Sequence, residues 1–338
     1  MGRSRFITGG SMNTRRRLVV ALGAGVLAPL ASFAQQQPAK VPRIGFLGSA
    51  SASGFASRIE ALRAGLRDLG YVEGKNIVIE FRWADGKYDR LPELAAELVR
   101  LKVDVLVTAG TPGTLALKRA TTRIPIVMAT SGDAVATGLV ASLARPGGNV
   151  TGTTIVSPEL MVKRLELLKE AFPRTRQVAV LSNPVNPVQG LSVQAMEIAA
   201  RSLKVGLQKF EARGPNEFES AFSAIAKQRV DAIAIQQDGA FIANAKGIAD
   251  LAVKHRLPSA GNKEFAEAGG LIGYGVNLLE IDRRAAYFVD RILKGAKPGD
   301  LPVERPTKFE LVVNLKTAKA LGVKIPDSIR LRADKVIE

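Results

Sequence analysis

Five short stretches carry most of the side chains in this chain that could do chemistry: LGSASAS from Leu47, TAGTPG from Thr108, ATSGD from Ala129, LSNPVNP from Leu181 and QQDGA from Gln236. Each follows a β-favouring apolar run and leads into a helical pattern, as VDVLV does before TAGTPG and Leu115 and Leu117 do after it. Their content is hydroxyl, amide and glycine, with single acids at Asp133 and Asp238. A helix that starts at such a turn offers unpaired N–H groups and the positive end of its dipole, which suits a carboxylate. General acid–base chemistry needs paired titratable groups in contrasting environments. Here the two acids stand apart, with no His, Cys or Lys beside them, and G-x-S-x-G is absent. The P-loop pattern G-x-x-x-x-G-K-[ST] is missing, Lys118 falling inside the helix, and no G-x-G-x-x-G follows the first strand. With no cysteine and one histidine, thiolate metal sites, disulfides and a Cys nucleophile are excluded, and a Ser-His-Asp triad or a zinc site is disfavoured. His255, in AVKHRLPSA, reads as a helix-end residue. These turns are built to hold a polar solute; no catalytic residue, metal or cofactor is expected.

The elements that must position them alternate. From Arg43 the strands RIGFLG, NIVIEFRW, VDVLVT and IPIVMAT are separated by amphipathic helices, one carrying Phe55, Ile59, Leu62 and Leu66, another Leu91, Leu94, Leu98 and Leu101, and GGNVTGTTI gives a fifth strand. A second series opens at Ser157-Pro158, read as an N-cap followed by Pro at the first helical position. It continues through QVAVLS, KVGLQKFEA and VDAIAIQ with helices between, the last from about Ala240. Such alternation means parallel sheets with right-handed crossovers, and ligands in open α/β sheets bind beyond the carboxyl ends of the strands. At 338 residues and 46% hydrophobic, the chain suits two doubly wound lobes better than one very wide sheet. Its end departs from simple alternation: GGLIGYGVN, a helix through Ile281 and Ile292, a Pro-rich connection, then KFELVVN and a last helix. The chain re-crosses between the lobes there.

The net charge of +17 raises nucleic-acid binding as a reading. Five of the arginines lie in the first 34 residues, which hold no acid, and removing them leaves +12. The remaining Lys and Arg are scattered along helix faces near acids, with no aromatic-interleaved basic run, so no nucleic-acid partner is expected. The first 34 residues read instead as an address. Arg15–Arg17 form a charged region, Leu18 to Leu30 an apolar stretch, and Ser32-Phe33-Ala34 a cleavage site before Gln35. TRRRLV resembles the twin-arginine export pattern, and Met12 reads as the true start. The expected location is the periplasm, after cleavage near Ala34.

In VPRIGFLGSASAS, LRDLGYVEGKNIVIEFRWADGKYDRLPELAAELV, TAGTPGTLALKRAT, IPIVM, GLVASLARPGGNVTG and PTKFELVVNLKTAKALG, the chain resembles the ABC-transporter substrate-binding protein family that includes tryptophan/tyrosine-binding members. The likeness runs from Pro42 to about Asp334. It implies a type I periplasmic-binding-protein fold: two lobes joined by three crossovers, closing on a solute and delivering it to an inner-membrane ABC permease with its ATPase. The division it implies is 41–153 plus 271–302 for lobe one and 154–270 plus 303–338 for lobe two, in a monomer. Carried onto this sequence, the resemblance places Ser49, Ser51, Thr108, Thr111, Asp133, Asn183, Asn186, Asp238 and Tyr274 at the ligand. Hydroxyls and helix N–H groups would hold a carboxylate, an Asp an ammonium, and Tyr274 would stack on the side chain of an amino-acid-like solute. Three other readings share the two-lobed body. A sugar-repressor-like regulator would need a helix-turn-helix where this chain carries the export pattern, a secreted enzyme would need catalytic groups, and a receptor's sensor portion would need a membrane span.

Overall fold

The structure, a computed structural model, describes residues 41–338; the leader, its cleavage site and Met12 lie outside the described residues. Twelve strands are present among the described residues. The first five, β1 (Arg43–Gly48), β2 (Val78–Trp83), β3 (Val105–Ala109), β4 (Ile126–Gly132) and β5 (Val150–Ile155), form a parallel sheet in the order β2-β1-β3-β4-β5. The other seven are β6 (Gln177–Ser182), β7 (Gly206–Glu211), β8 (Ala232–Ile235), β9 (Ser259–Gly261), β10 (Ile272–Gly275), β11 (Glu310–Asn314) and β12 (Lys335–Ile337). They pair as β12-β11-β10-β9-β8-β6-β7. Both sheets carry helices on their faces, so β3 and β4 are buried along their whole length, as a parallel strand covered on both sides must be.

Each lobe therefore has two apolar layers. In lobe one, Phe46, Ile59, Leu62 and Phe288 fill one face of the sheet, and Leu94, Leu98, Leu106 and Leu117 the other. In lobe two, Leu165, Leu168, Val180 and Ile272 oppose Leu181, Phe222, Ile233 and Ile248 in the same way. A smaller cluster of Ile155, Leu160, Val276, Leu278 and Ile281 sits where the chain passes between lobes.

The crossings fall at the end of β5, at the end of β10, and between residue 304 and β11. Helix Leu278–Leu293, begun by Asn277 accepting from the backbone N–H groups of Leu279 and Glu280, packs against helix Ala56–Asp68 of lobe one. The backbone of Glu304 pairs with Gly152 and Thr154 at the edge strand β5 before the chain returns. A division at residue 271 gave β10 to lobe one. Its hydrogen bonds to β9 and β11 put it in lobe two, and the chain leaves that sheet only at Val276-Asn277. Because the chain re-enters lobe two from the cleft side, β11 must run away from the cleft and pairs antiparallel with β10. The expected N-cap at Ser157 is also shifted: Val156 holds that position and Ser157 is the first helical residue.

Candidate functional site

The carboxyl ends of both sheets face one another across a cleft enclosing about 430 Å³ of space not filled by protein atoms and open to solvent. Lobe one brings Ser49 from the end of β1, Gly110 to Pro112 from the turn after β3, and Thr130 to Gly132 from β4. Lobe two brings Asn186, Val188 and Gln237 to Gly239, with Ile155 and Ser157 at the crossing and Ile242 from helix Gly239–Ala243.

Local sequence explains these placements. Gly110 adopts φ 111°, a left-handed conformation that lets β3 turn straight into helix Thr111–Ala120. The N-terminus of that helix opens into the cleft, and Pro112, which has no N–H to leave unpaired, occupies its first turn. Thr111 Oγ1 accepts the N–H of Gly132 at 3.1 Å, tying the helix start to the end of β4. The register of β4 shifts against both neighbours just before this point, and such a bulge re-aims side chains at a strand end. Thr130 and Ser131 reach the cleft lining as a result.

Asp238 is the buried acid of the site, 2% exposed. Oδ1 accepts from Tyr88 Oη at 2.8 Å, Asn183 Nδ2 at 3.2 Å and the Ala240 N–H at 3.0 Å, and Oδ2 from Asn186 Nδ2 at 2.9 Å. Burial pushes its carboxyl above the ordinary range, and the four donors pull the other way. Tyr88 comes from the opposite lobe, so this hydrogen bond spans the cleft. Burial first, and then the Asp238 charge, raise its phenol well above the usual value.

Two arginines stand behind the lining. Arg58, on helix Ala56–Asp68, reaches the cleft and pairs with Asp282 on helix Leu278–Leu293 at 2.5 and 2.9 Å, with Thr130 Oγ1 at 3.3 Å. Burial pushes the Asp282 carboxyl up while Arg58 opposes it. Arg164 is 0% exposed. It donates to Tyr274 O at 2.9 Å, Ile235 O at 3.5 Å and Gln237 Oε1 at 3.3 Å, and burial lowers its guanidinium to about 10.

Of the residues assigned from the sequence, Ser49, Thr111, Asn186 and Asp238 meet in the lining. Asn183 lies directly behind Asp238, donating to it. Thr108 is fully buried and donates to Leu47 O at 2.7 Å, joining β3 to β1. Ser51 bonds with Ser53 at 3.1 Å and the Gly54 N–H at 3.2 Å, outside the lining. Asp133 accepts from the Ala136 N–H at 3.0 Å, closing its own turn, also outside it. Tyr274 stacks on Phe309 with ring centroids 6.1 Å apart and reaches the site through its carbonyl, which receives Arg164. His255 ends helix Ala245–Lys254, its ring against Phe222 and away from the cleft. Sequence reading passed over Tyr88, Arg58, Arg164 and Gln237. The first three lie in or beside helices whose charges look solvated, and only Gln237 stood in a turn already marked. Among the described residues, no group of His, Cys, Asp and Glu could hold a metal, and no helix is long and apolar enough to cross a membrane.

A family model described as ABC transporter substrate binding protein matches residues 47–337. A tyrosine-binding protein of Clostridioides difficile (strain R20291) is 28% identical over 273 residues, covering 80% of this chain and 76% of that one. Among solved structures, the ABC domain in complex with L-Trp from Streptococcus pneumonia superposes with a TM-score of 0.80 at 26% identity, over 88% of this chain and 99% of the other. A conserved domain protein from Vibrio cholerae gives 0.82 at 29% identity, over 88% and 100%. The ligand-free, open structure of a substrate-binding protein with adhesive properties from Clostridium difficile gives 0.61 at 25% identity, over 88% and 99%. At near-equal identity, the chain superposes better on the L-Trp complex than on the ligand-free, open form.

Proposed function

The chain belongs to the ABC transporter substrate binding protein family, and on that premise we propose that it is an exported, periplasmic receptor that closes on one amino-acid zwitterion and hands it to an inner-membrane permease with its ATPase. The observation that carries this reading is the division of polarity across the cleft. Lobe one offers a helix N-terminus and the Arg58 guanidinium, both suited to a carboxylate. Lobe two offers Asn186, whose Oδ1 is buried without a hydrogen-bond partner, beside the Asp238 carboxylate. A buried acceptor without a donor costs free energy, and a ligand ammonium satisfies it. Between these poles Pro112, Ile155, Val188 and Ile242 form an apolar wall for a side chain. The ligands named for the relatives, tyrosine and L-Trp, have this make-up.

The protein works as a monomer, binds one equivalent and returns it unchanged, in keeping with its solute-binding relatives. Calorimetry of the chain from Gln35 against the L-amino acids, with product analysis after prolonged incubation, tests this. One-to-one binding of an apolar or aromatic amino acid without turnover is expected. Stoichiometric conversion over many turnovers, or no binding of any α-amino acid, sinks the reading. For export, changing Arg15 and Arg16 to lysine is expected to strand precursor in the cytoplasm; normal processing of that variant would remove the twin-arginine route.

A further inference from the structure

Two amides on the lobe-two side of the cleft have their orientation dictated by a charged neighbour. A guanidinium donates and never accepts, so Arg164 Nη2, 3.3 Å from the Gln237 amide, meets its oxygen. The Nε2 hydrogens of Gln237 are then left for the cleft that the residue lines. A carboxylate accepts and does not donate, so Asp238 Oδ2 takes the Nδ2 of Asn186 at 2.9 Å. Asn186 Oδ1 is left buried, in the same lining and without a partner. One amide is thereby set as a donor and the next as an acceptor.

We propose that Arg164 and Asp238 are positioning residues that set the polarity of the cleft floor, Gln237 Nε2 donating to the ligand's carboxylate and Asn186 Oδ1 accepting from its ammonium, so that the site selects a free α-amino acid over its carboxamide. The proposal rests on the amino-acid reading above and adds a lobe-two donor, Gln237 Nε2, to the helix N-terminus and Arg58 that lobe one turns toward the carboxylate. Among the described residues no carboxylate hydrogen-bonds Arg164; the Glu264 charge acts on it from further off, and apart from Gln237 its oxygen partners are the backbone carbonyls of Ile235 and Tyr274 at the ends of β8 and β10. A buried guanidinium with no carboxylate in contact is costly to keep. Tying two strand ends together would need only a neutral donor. Holding one amide in one sense, with a positive charge behind it, needs a group that can only donate.

The test compares L-tryptophan, L-tyrosine and L-leucine with their carboxamides by calorimetry, on the wild type, Gln237→Glu and Arg164→Met. Gln237→Glu is nearly isosteric and pairs with Arg164, so the fold is kept while the donor becomes an acceptor. Its affinity for the free acid is expected to fall about tenfold or more, because a site that hydrogen-bonds one group rejects a ligand that cannot answer it. The carboxamide, which carries its own N–H groups, should change by less than about threefold on the same ground. Arg164→Met frees the amide to turn, and the preference for acid over amide should collapse while either ligand still binds. A merely structural arginine would weaken both ligands alike and leave the ratio intact. If the wild type binds an amino acid and Gln237→Glu leaves the acid-to-amide ratio unchanged, the proposal is overturned and the amino-acid reading stands. If the wild type binds none of the L-amino acids, both fall. Should Arg164→Met fail to fold, the Gln237→Glu ratio decides alone.

Discussion

Asp238 shows how one buried acid is kept usable at the edge of a solvent-open cleft. Its two oxygens take four donors from both lobes, so its charge is spread over Tyr88, Asn183, Asn186 and the start of a helix. Asn183 touches no cleft space itself, yet removing it leaves Asp238 with a vacant lone pair. Asn183→Ala and Thr111→Val should each weaken ligand binding by about 1–3 kcal/mol, the usual cost of a buried polar partner left unpaired. Calorimetry checks this, and unchanged affinity in Thr111→Val with the fold intact would move the carboxylate away from the β3 turn. The Arg58–Asp282 pair behaves differently, since both groups are nearly dry, at 6% and 4% exposure. Removing one partner strands the other charge. Asp282→Ala is therefore expected to lose about 3 kcal/mol in urea unfolding. The double change Arg58→Met with Asp282→Leu should recover much of that stability but not ligand binding. If the single variant is as stable as wild type, Arg58 has another counter-charge.

At the scale of elements, the lobes approach through small residues. Gly54, in the turn Ser53–Phe55, meets helix Gly239–Ala243 of the other lobe, and a Cβ added there would stand 2.6 Å from the Ala243 Cβ. Gly239 approaches Ser49 in the same manner. Gly54 lies outside the cleft lining, so Gly54→Ala tests closure without touching the ligand. It should weaken binding by about 1–2 kcal/mol, the cost of a forced overlap at a packed contact, with the melting temperature of the ligand-free protein nearly unchanged. Full affinity in this variant would mean that the two elements do not meet in the liganded state.

For the whole molecule, the Tyr88–Asp238 hydrogen bond is a clasp between lobes, and the better superposition on the L-Trp complex than on the open relative fits a closed arrangement. Hinge closure around a ligand is a shift between two populated states. Tyr88→Phe removes the clasp and leaves the ring's packing, which should favour the open state by about 1 kcal/mol. Small-angle scattering of the ligand-free variant should show a larger radius of gyration than wild type, and saturating ligand should bring the two together. Equal radii without ligand would mean that the clasp does not set lobe separation.

Much of this architecture was legible before any coordinates. The period of apolar residues and the Gly- and Ser-rich turns located nearly every strand and helix, because each element must bury one face and each turn must satisfy its own backbone. The strand-end rule pointed to the five turns, and of the residues the family resemblance placed at the ligand, Ser49, Thr111, Asn186 and Asp238 share one cleft. Strands β9 and β12, of three residues each, were too short to show a period and exist because neighbours pair with them. The place of β10 was likewise a matter of which sheet edge was open, which no local pattern records. Tertiary structure alone decided which polar side chains face one another: Tyr88 and Asp238 stand 150 residues apart, Arg58 and Asp282 224. The strength of a polar contact depends on the burial and partners that distant segments supply. Sequence thus determined the elements and the turns that carry chemistry, while packing determined which of those groups were left free for a ligand.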